Sequence, residues 1–230
     1  MKSPFETILK NRSYIVKSKR LAGGYVNSVA LITTIGKDGK KQKYILKKYN
    51  SEKAINEMLR GYSLILHIVP TPFIVYINKE KLQVAFEYIE GKDIFQMIKS
   101  KDPKVHHAFK ILAKELEKLH RYKLFNPHYR KGNSPDERKM ISHCIQSIKK
   151  NNIGDIQANK ILHEIQAYIP KTKSIIHGDA HLRNFVYYQG IIYFIDSDNV
   201  KVGDLNADLG RLLSYLDIME DKKHLSAKDA

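Results

Sequence analysis

The sequence predicts an α+β chain: an antiparallel, β-rich part up to about residue 91, then a mainly helical part. Three observations predict it. Short runs of alternating, β-branched residues recur five times before Gly91. From Asp93 onward the apolar spacing is helical. The chain of 230 residues, 43% of them apolar with 14 Tyr and 8 Phe, is long enough for one large domain or two small lobes around a cleft.

Each element follows from local pattern. "YIVKSKRLAGGYVNSVALITTI" alternates on both sides of Gly23-Gly24, "GKDGKK" is a turn, and "QKYILKKY" resumes the extended pattern, giving three antiparallel strands. Ile55, Met58, Leu59, Tyr62 and Leu66 fall on one side of a helix over Ser51 to His67, with Ser51 as N-cap and Pro70 and Pro72 beyond its end. "FIVYINKEKLQVAFEYIEG" supplies two more strands about a turn at Asn78-Lys79. "DIFQMIKS" is a short helix, and "KVHHAFKILAKELEKLHRY" a longer one with Phe109, Leu112, Leu116 and Leu119 along its face. Another opens at Ser134, with Pro135 at the first helical position and Glu137 placed for a capping box. A further helix covers about 156 to 169 and stops at Pro170. Then comes a hairpin at about 185–195 turning at Gln189-Gly190, and a last helix from about Asp204 to Met219. The division is into residues 1–91 and 92–230.

Composition narrows the function classes. Cys144 is the single cysteine, which excludes an intrachain disulfide and a cysteine-based metal site and fits a reducing compartment. "MKSPFETILKNRSY" has no apolar run or small-residue cleavage site of a signal peptide. The most apolar window, Tyr62 to Ile77, is broken by His67, Pro70 and Pro72 and too short to span a bilayer. The expected location is the cytoplasm. The net charge of +16 has two readings: an anionic partner such as nucleotide phosphate, acidic lipid or RNA, or a lysine-rich bias over a solvated surface. The basic residues are scattered rather than in one block, which favours the second, with nucleic acid ranked below the other partners.

Chemistry-bearing residues come in a definite order. Gly23 and Gly24 lie in a turn between strands, where a missing Cβ lets backbone N–H groups approach an anion. Lys47, in "YILKKY", shares a strand face with Ile45 and so needs a partner if that face is buried. Glu57 on the next helix can supply it, as can Glu52. Asp179 and Asn184, in "SIIHGDAHLRNF", flank the hairpin together with Asp196, whose place at a strand end suits an oxygen-liganded cation such as Mg²⁺. Asp198, Asp204 and Asp208 follow closely. Glycine turn, strand lysine, helix glutamate, Asp-x-x-x-x-Asn and a final Asp form the ordered parts of the kinase-like phosphoryl transferases.

The chain resembles the aminoglycoside phosphotransferase and choline kinase branch of that superfamily. The resemblance rests on "HGDAHLRN", "GGYVNS", "IDSDNVKVGDLNADLGRL", "FEYIEGKDI" and "LAKELEKLH", and spans about residues 20 to 216. It implies a two-lobed protein-kinase-like fold, with a five-stranded antiparallel N-lobe and a mainly helical C-lobe. Asp179 would be the catalytic base, and Asn184 and Asp196 the Mg²⁺ ligands. Lys47 would hold ATP phosphates and pair with Glu57. Gly23, Gly24, Asn27 and Ser28 would lie over the nucleotide, and Glu87, Tyr88 and Ile89 would offer backbone groups to adenine. His177 would brace the loop and Asp208 anchor it, while His181 either lines the acceptor site or fills the loop.

Two features depart from that family's pattern. Ser197 stands where an aromatic is common, and the chain ends soon after Asp217, which leaves residues 123 to 173 to form most of a shallow acceptor pocket. The expected activity is ATP- and Mg²⁺-dependent phosphorylation of a hydroxyl on a small metabolite or sugar. A lipopolysaccharide-core-type sugar kinase in peripheral contact with anionic lipid falls within it. The alternatives are an atypical protein serine/threonine kinase, a kinase-like ATPase of the KEOPS-complex or RIO type, and a nucleotide-binding pseudokinase.

Overall fold

The computed structural model describes residues 13–21, 28–36, 38–122 and 174–228. Gly23, Gly24, Asn27, Cys144, the helix expected to open at Ser134, the helix over 156–169 and the acceptor segment 123–173 lie outside the described residues.

Five strands form one antiparallel sheet: β1 (Ser13–Leu21), β2 (Ser28–Gly36), β3 (Lys41–Lys48), β4 (Ile74–Asn78) and β5 (Gln83–Glu87), in the order β1-β2-β3-β5-β4. Their β-branched and aromatic residues suit a half-buried pleat. Strand β3 is central, so Lys47 lies between Val29 of β2 and Val84 of β5. Helix α1 (Glu52–Ile65) follows, and the Ser51 side chain accepts the Ala54 N–H at 3.2 Å as its N-cap. It buries Ile55, Met58 and Tyr62 with Tyr49 and Val84. Each such side chain contributes about 1.5–3 kcal/mol on full burial. Leu59 and Leu66, expected on the buried face, only flank this cluster. The buried stripe instead runs through Gly61 and Ile65.

The second part begins with β6 (Lys92–Asp93), whose Asp93 caps α2 (Ile94–Lys99) by accepting the Gln96 N–H at 2.7 Å. Helix α3 (Val105–Arg121) buries Ala108, Leu112, Leu116 and Leu119. Its face is rotated slightly from the expected one, with Ala108 inside and Phe109 at the margin. Strands β8 (Phe185–Tyr188) and β9 (Ile191–Phe194) form the expected hairpin, with both Gln189 and Gly190 at positive φ as a tight two-residue turn requires. Strand β7 (Ser174–Ile176) pairs with β10 (Lys201–Gly203), and β6 with β8. Helix α4 (Leu205–Lys228) starts where expected and runs past Met219. The larger core joins α2, α3, α4 and the hairpin around Leu112, Leu119, Phe185 and Phe194. No helix among the described residues is long and apolar enough to cross a membrane.

Candidate active site

The β7–β8 connection carries Asp179 and Asn184, and one buried carboxylate fixes its start. Asp208, in the first turn of α4 and fully buried, accepts the N–H groups of His177 at 2.8 Å and Gly178 at 2.9 Å. His120 at the end of α3 meets the same carboxylate at 3.0 Å. Three hydrogen-bond partners around one buried carboxyl group offset the cost of burying it. Gly178 has φ +74°, and a Cβ there would sit 2.2 Å from the Asn199 carbonyl oxygen, so only glycine fits this bend. The His177 ring packs edge-on to Phe185 at 5.5 Å, and its Nε2 lies 3.0 Å from the Ile195 carbonyl. A carbonyl can only accept, so Nε2 carries the proton. The loop is thereby tied to the strand end that precedes Asp196.

Lys47 is buried, and its ammonium donates to Asp196 Oδ1 at 2.7 Å and Asp198 Oδ2 at 2.8 Å. The Tyr49 hydroxyl donates to Asp198 Oδ1 at 3.0 Å. Burial would lower the lysine pKa, but the two carboxylates outweigh it and hold the group above its ordinary value. Burial alone would raise Asp196, yet Lys47 holds it below the usual carboxylate range. Asp198 is pushed up by burial and by the neighbouring Asp196 charge. Burial followed by Asp198 raises the Tyr49 phenol, keeping it a donor.

This corrects the expected lysine partner. Glu57 lies on the exposed side of α1 and faces Lys53 at 3.8 Å, while Glu52 faces Lys79 at 3.5 Å. The buried stripe of α1 is apolar, so the face turned inward carries no carboxylate; Asp198 arrives from the other end of the chain instead. Close approach makes this possible. A Cβ on Gly61 of α1 would stand 2.5 Å from the Ser197 carbonyl oxygen. Ser197, where an aromatic is common in the family pattern, is buried beneath that helix.

A cleft of about 380 Å³ opens beside Lys47. Leu21, Val29 and Ile45 line it from the sheet and Val186 and Phe194 from the hairpin, with Lys47, Asp196, Asp93 and Arg183 among its charged residues. Glu87, Tyr88 and Ile89 line it as well, where β5 leaves the sheet. The Glu87 N–H is already given to the Phe73 carbonyl at 2.9 Å. Ser28 is exposed at the start of β2 and does not contribute to this lining.

Asp179 faces another group of residues. The Asn184 amide donates to the Asp179 backbone carbonyl at 2.9 Å and to Oδ2 at 3.3 Å. The Arg211 guanidinium of α4 donates to Asp179 Oδ1, and His181 Nε2 lies 3.6 Å from Oδ2. His181 stacks on Tyr215 of α4, with ring centres 5.2 Å apart and a 31° tilt. Burial lowers the His181 pKa, only partly opposed by Asp179.

The donors suit a hard divalent cation. Asn184 commits its amide nitrogen to Asp179, which leaves its side-chain oxygen for a cation, and the Asp196 carboxylate is held in its ionised form. Among the described residues no group of three or more His, Cys, Asp or Glu forms a metal cage.

The model of a family of phosphotransferase enzymes, APH, matches residues 17–227. The chain belongs to that family. Solved structures agree on the fold. An aminoglycoside phosphotransferase, APH(2'')-IIa, in a ternary complex with streptomycin and ATP is 16% identical with a TM-score of 0.55, covering 89% of this chain and 71% of that one. A type I macrolide 2'-phosphotransferase is 14% identical with a TM-score of 0.62, covering 92% and 76%. Choline kinase from Cryptosporidium parvum is 19% identical with a TM-score of 0.58, covering 88% and 63%. Among curated proteins no sequence matches. The fold is thus the two-lobed kinase-like one.

Four residues of the site were absent from the sequence reading of roles: Asp198, Tyr49, His120 and Arg211. Arg211 had a signal, because Asp208, Arg211 and Tyr215 recur at helical spacing and so share the face that Asp208 turns to the loop. His120 and Asp208 are 88 residues apart, and nothing local in the sequence links them.

Proposed function

We propose that the chain is an ATP- and Mg²⁺-dependent kinase that transfers the γ-phosphoryl group to a hydroxyl of a small metabolite or sugar, soluble or lipid-linked. The adenine enters the apolar cleft between Val29, Ile45 and Phe194, against the backbone of Glu87 to Ile89. Lys47 meets the phosphates. Asn184 and Asp196 would hold Mg²⁺, which would supply positive charge to the phosphoryl group in transfer. Asp179 accepts the proton of the acceptor hydroxyl as the new O–P bond forms and the bond from the γ-phosphorus to the bridging oxygen breaks. ADP leaves with that electron pair. Such a reaction gains chiefly from positioning and fixed charge.

The observation that carries this reading is the contact of Lys47 with Asp196 at the charged end of an apolar cleft, with Asp179 and Asn184 hydrogen-bonded on the adjoining loop. Family membership supports it. The test is transfer from γ-labelled ATP with Mg²⁺ to the protein alone, a metabolite pool, a lipid and lipopolysaccharide extract, and a protein extract. Label is expected in metabolite or lipid and absent with Asp179→Asn. Label confined to protein would establish a protein kinase instead, and label nowhere despite ATP binding would leave a pseudokinase.

A further inference from the structure

The carboxylate proposed as the base is not open to any acceptor that approaches it. One of its oxygens is taken by Arg211, a residue 42% exposed at its side chain, and the other accepts the Asn184 amide and is faced by His181. Arg211 and Tyr215 are four residues apart on α4, so they lie on one face. Tyr215 covers His181 as a tilted aromatic wall. A guanidinium, an imidazole and the Asn184 amide therefore contact the carboxylate that the reacting hydroxyl must reach, with Tyr215 behind the imidazole.

We propose that this group is the acceptor's anchoring site and that the acceptor is an anion, a hydroxyl compound bearing a carboxylate or phosphate near the reacting oxygen. This rests on the kinase reading given above. A guanidinium presents a planar fork of donors that matches carboxylate and phosphate oxygens in pairs. It is permanently charged, so an acceptor carboxylate or phosphate can replace the Asp179 carboxylate as its counter-ion, which an uncharged or cationic acceptor cannot do. The acceptor anion takes the guanidinium, and the Asp179 oxygen it held becomes available to the hydroxyl proton. Acceptor binding and release of the base are then one event.

The experiment separates aqueous and lipid extracts by ion exchange into anionic, neutral and cationic fractions. Each is offered to the full chain with γ-labelled ATP and Mg²⁺, with Asp179→Asn as control. A matched trio of a uronic acid, its neutral sugar and its amino sugar is run beside them. Label is expected in an anionic fraction, the aqueous or lipid arm telling a free metabolite from a lipid headgroup. Arg211→Gln should raise the apparent KM for that fraction by about tenfold or more with the KM for ATP changed less than about threefold. Arg211→Lys should restore part of it, since charge is kept and the fork is lost. Asp179-dependent label in the neutral or cationic fraction would overturn the anionic acceptor and leave the kinase reading intact. A rise confined to the KM for ATP would assign Arg211 to the nucleotide and also overturn it. No label in any fraction would overturn both.

Discussion

Asp198 rather than Glu57 holds the buried lysine, and the two can be weighed by substitution. In the structure Lys47 is 7% exposed and has carboxylate oxygens at 2.7 and 2.8 Å. Asp198→Ala removes one charge-assisted bond to Lys47, a loss of about 1.5–3 kcal/mol. It also strips the Tyr49 hydroxyl of its acceptor at 3.0 Å, costing about 1–3 kcal/mol before the pocket relaxes. Because Asp196 still partners the lysine and the Asp198 side chain is 20% exposed, the net expectation is about 2–4 kcal/mol. Glu57 and Lys53 are 3.8 Å apart with side chains 57% and 84% exposed, and removing such a pair costs at most about 0.5 kcal/mol. Urea unfolding of both variants measures this directly, with the midpoint shifting at constant slope. If the misplaced ammonium also forfeits about 1.4–2.7 kcal/mol at the phosphates, kcat/KM for ATP falls about 10- to 100-fold in Asp198→Ala and less than about threefold in Glu57→Ala. Equal losses in the two variants, or a Glu57→Ala loss exceeding that of Asp198→Ala, would refute the assignment.

Further outcomes follow from the loop and its histidine. Gly178→Ala forces a Cβ into the Asn199 carbonyl at φ +74°, so it should cost about 2–4 kcal/mol and lower kcat with it; an unchanged unfolding midpoint would contradict the geometry. His181 should titrate below 6.5 in the folded chain, read from its imidazole NMR signal and assigned with His181→Gln. Below 6.5 the unfolded chain takes up this proton first, so the His181 contribution to stability is present above that pH and lost as pH falls toward the folded value. Asp179→Asn should lower the His181 pKa further, because that carboxylate raises it; a rise would contradict the contact.

How much of this was legible in the sequence varied with the range of the interaction. The five strands, α1, α3 and the hairpin announce themselves through period and turn residues, and Ile45 and Lys47 do share the cleft face that their alternation places together. Strands β6, β7 and β10 have only two or three residues, too few to show a period. The lysine partner failed for a different reason. Glu57 is near Lys47 in sequence, whereas Asp198 is 151 residues away and enters through the packing of α1 against the Ser197 loop. Helical spacing identifies a face, but the rotation of that face is decided by Ile55, Met58 and Tyr62 meeting Val84 and Tyr49. Arg211 lay within reach, since its spacing from Asp208 puts it on the loop side of α4.

The central claim is that Asp179 serves the transfer step and not nucleotide binding. Calorimetric titration of ATP with Mg²⁺, followed by single-turnover transfer to whichever fraction takes label, tests it in wild type and Asp179→Asn. The nucleotide Kd should agree within about threefold, and the transfer rate should fall at least about 100-fold. Undiminished transfer in Asp179→Asn would contradict it.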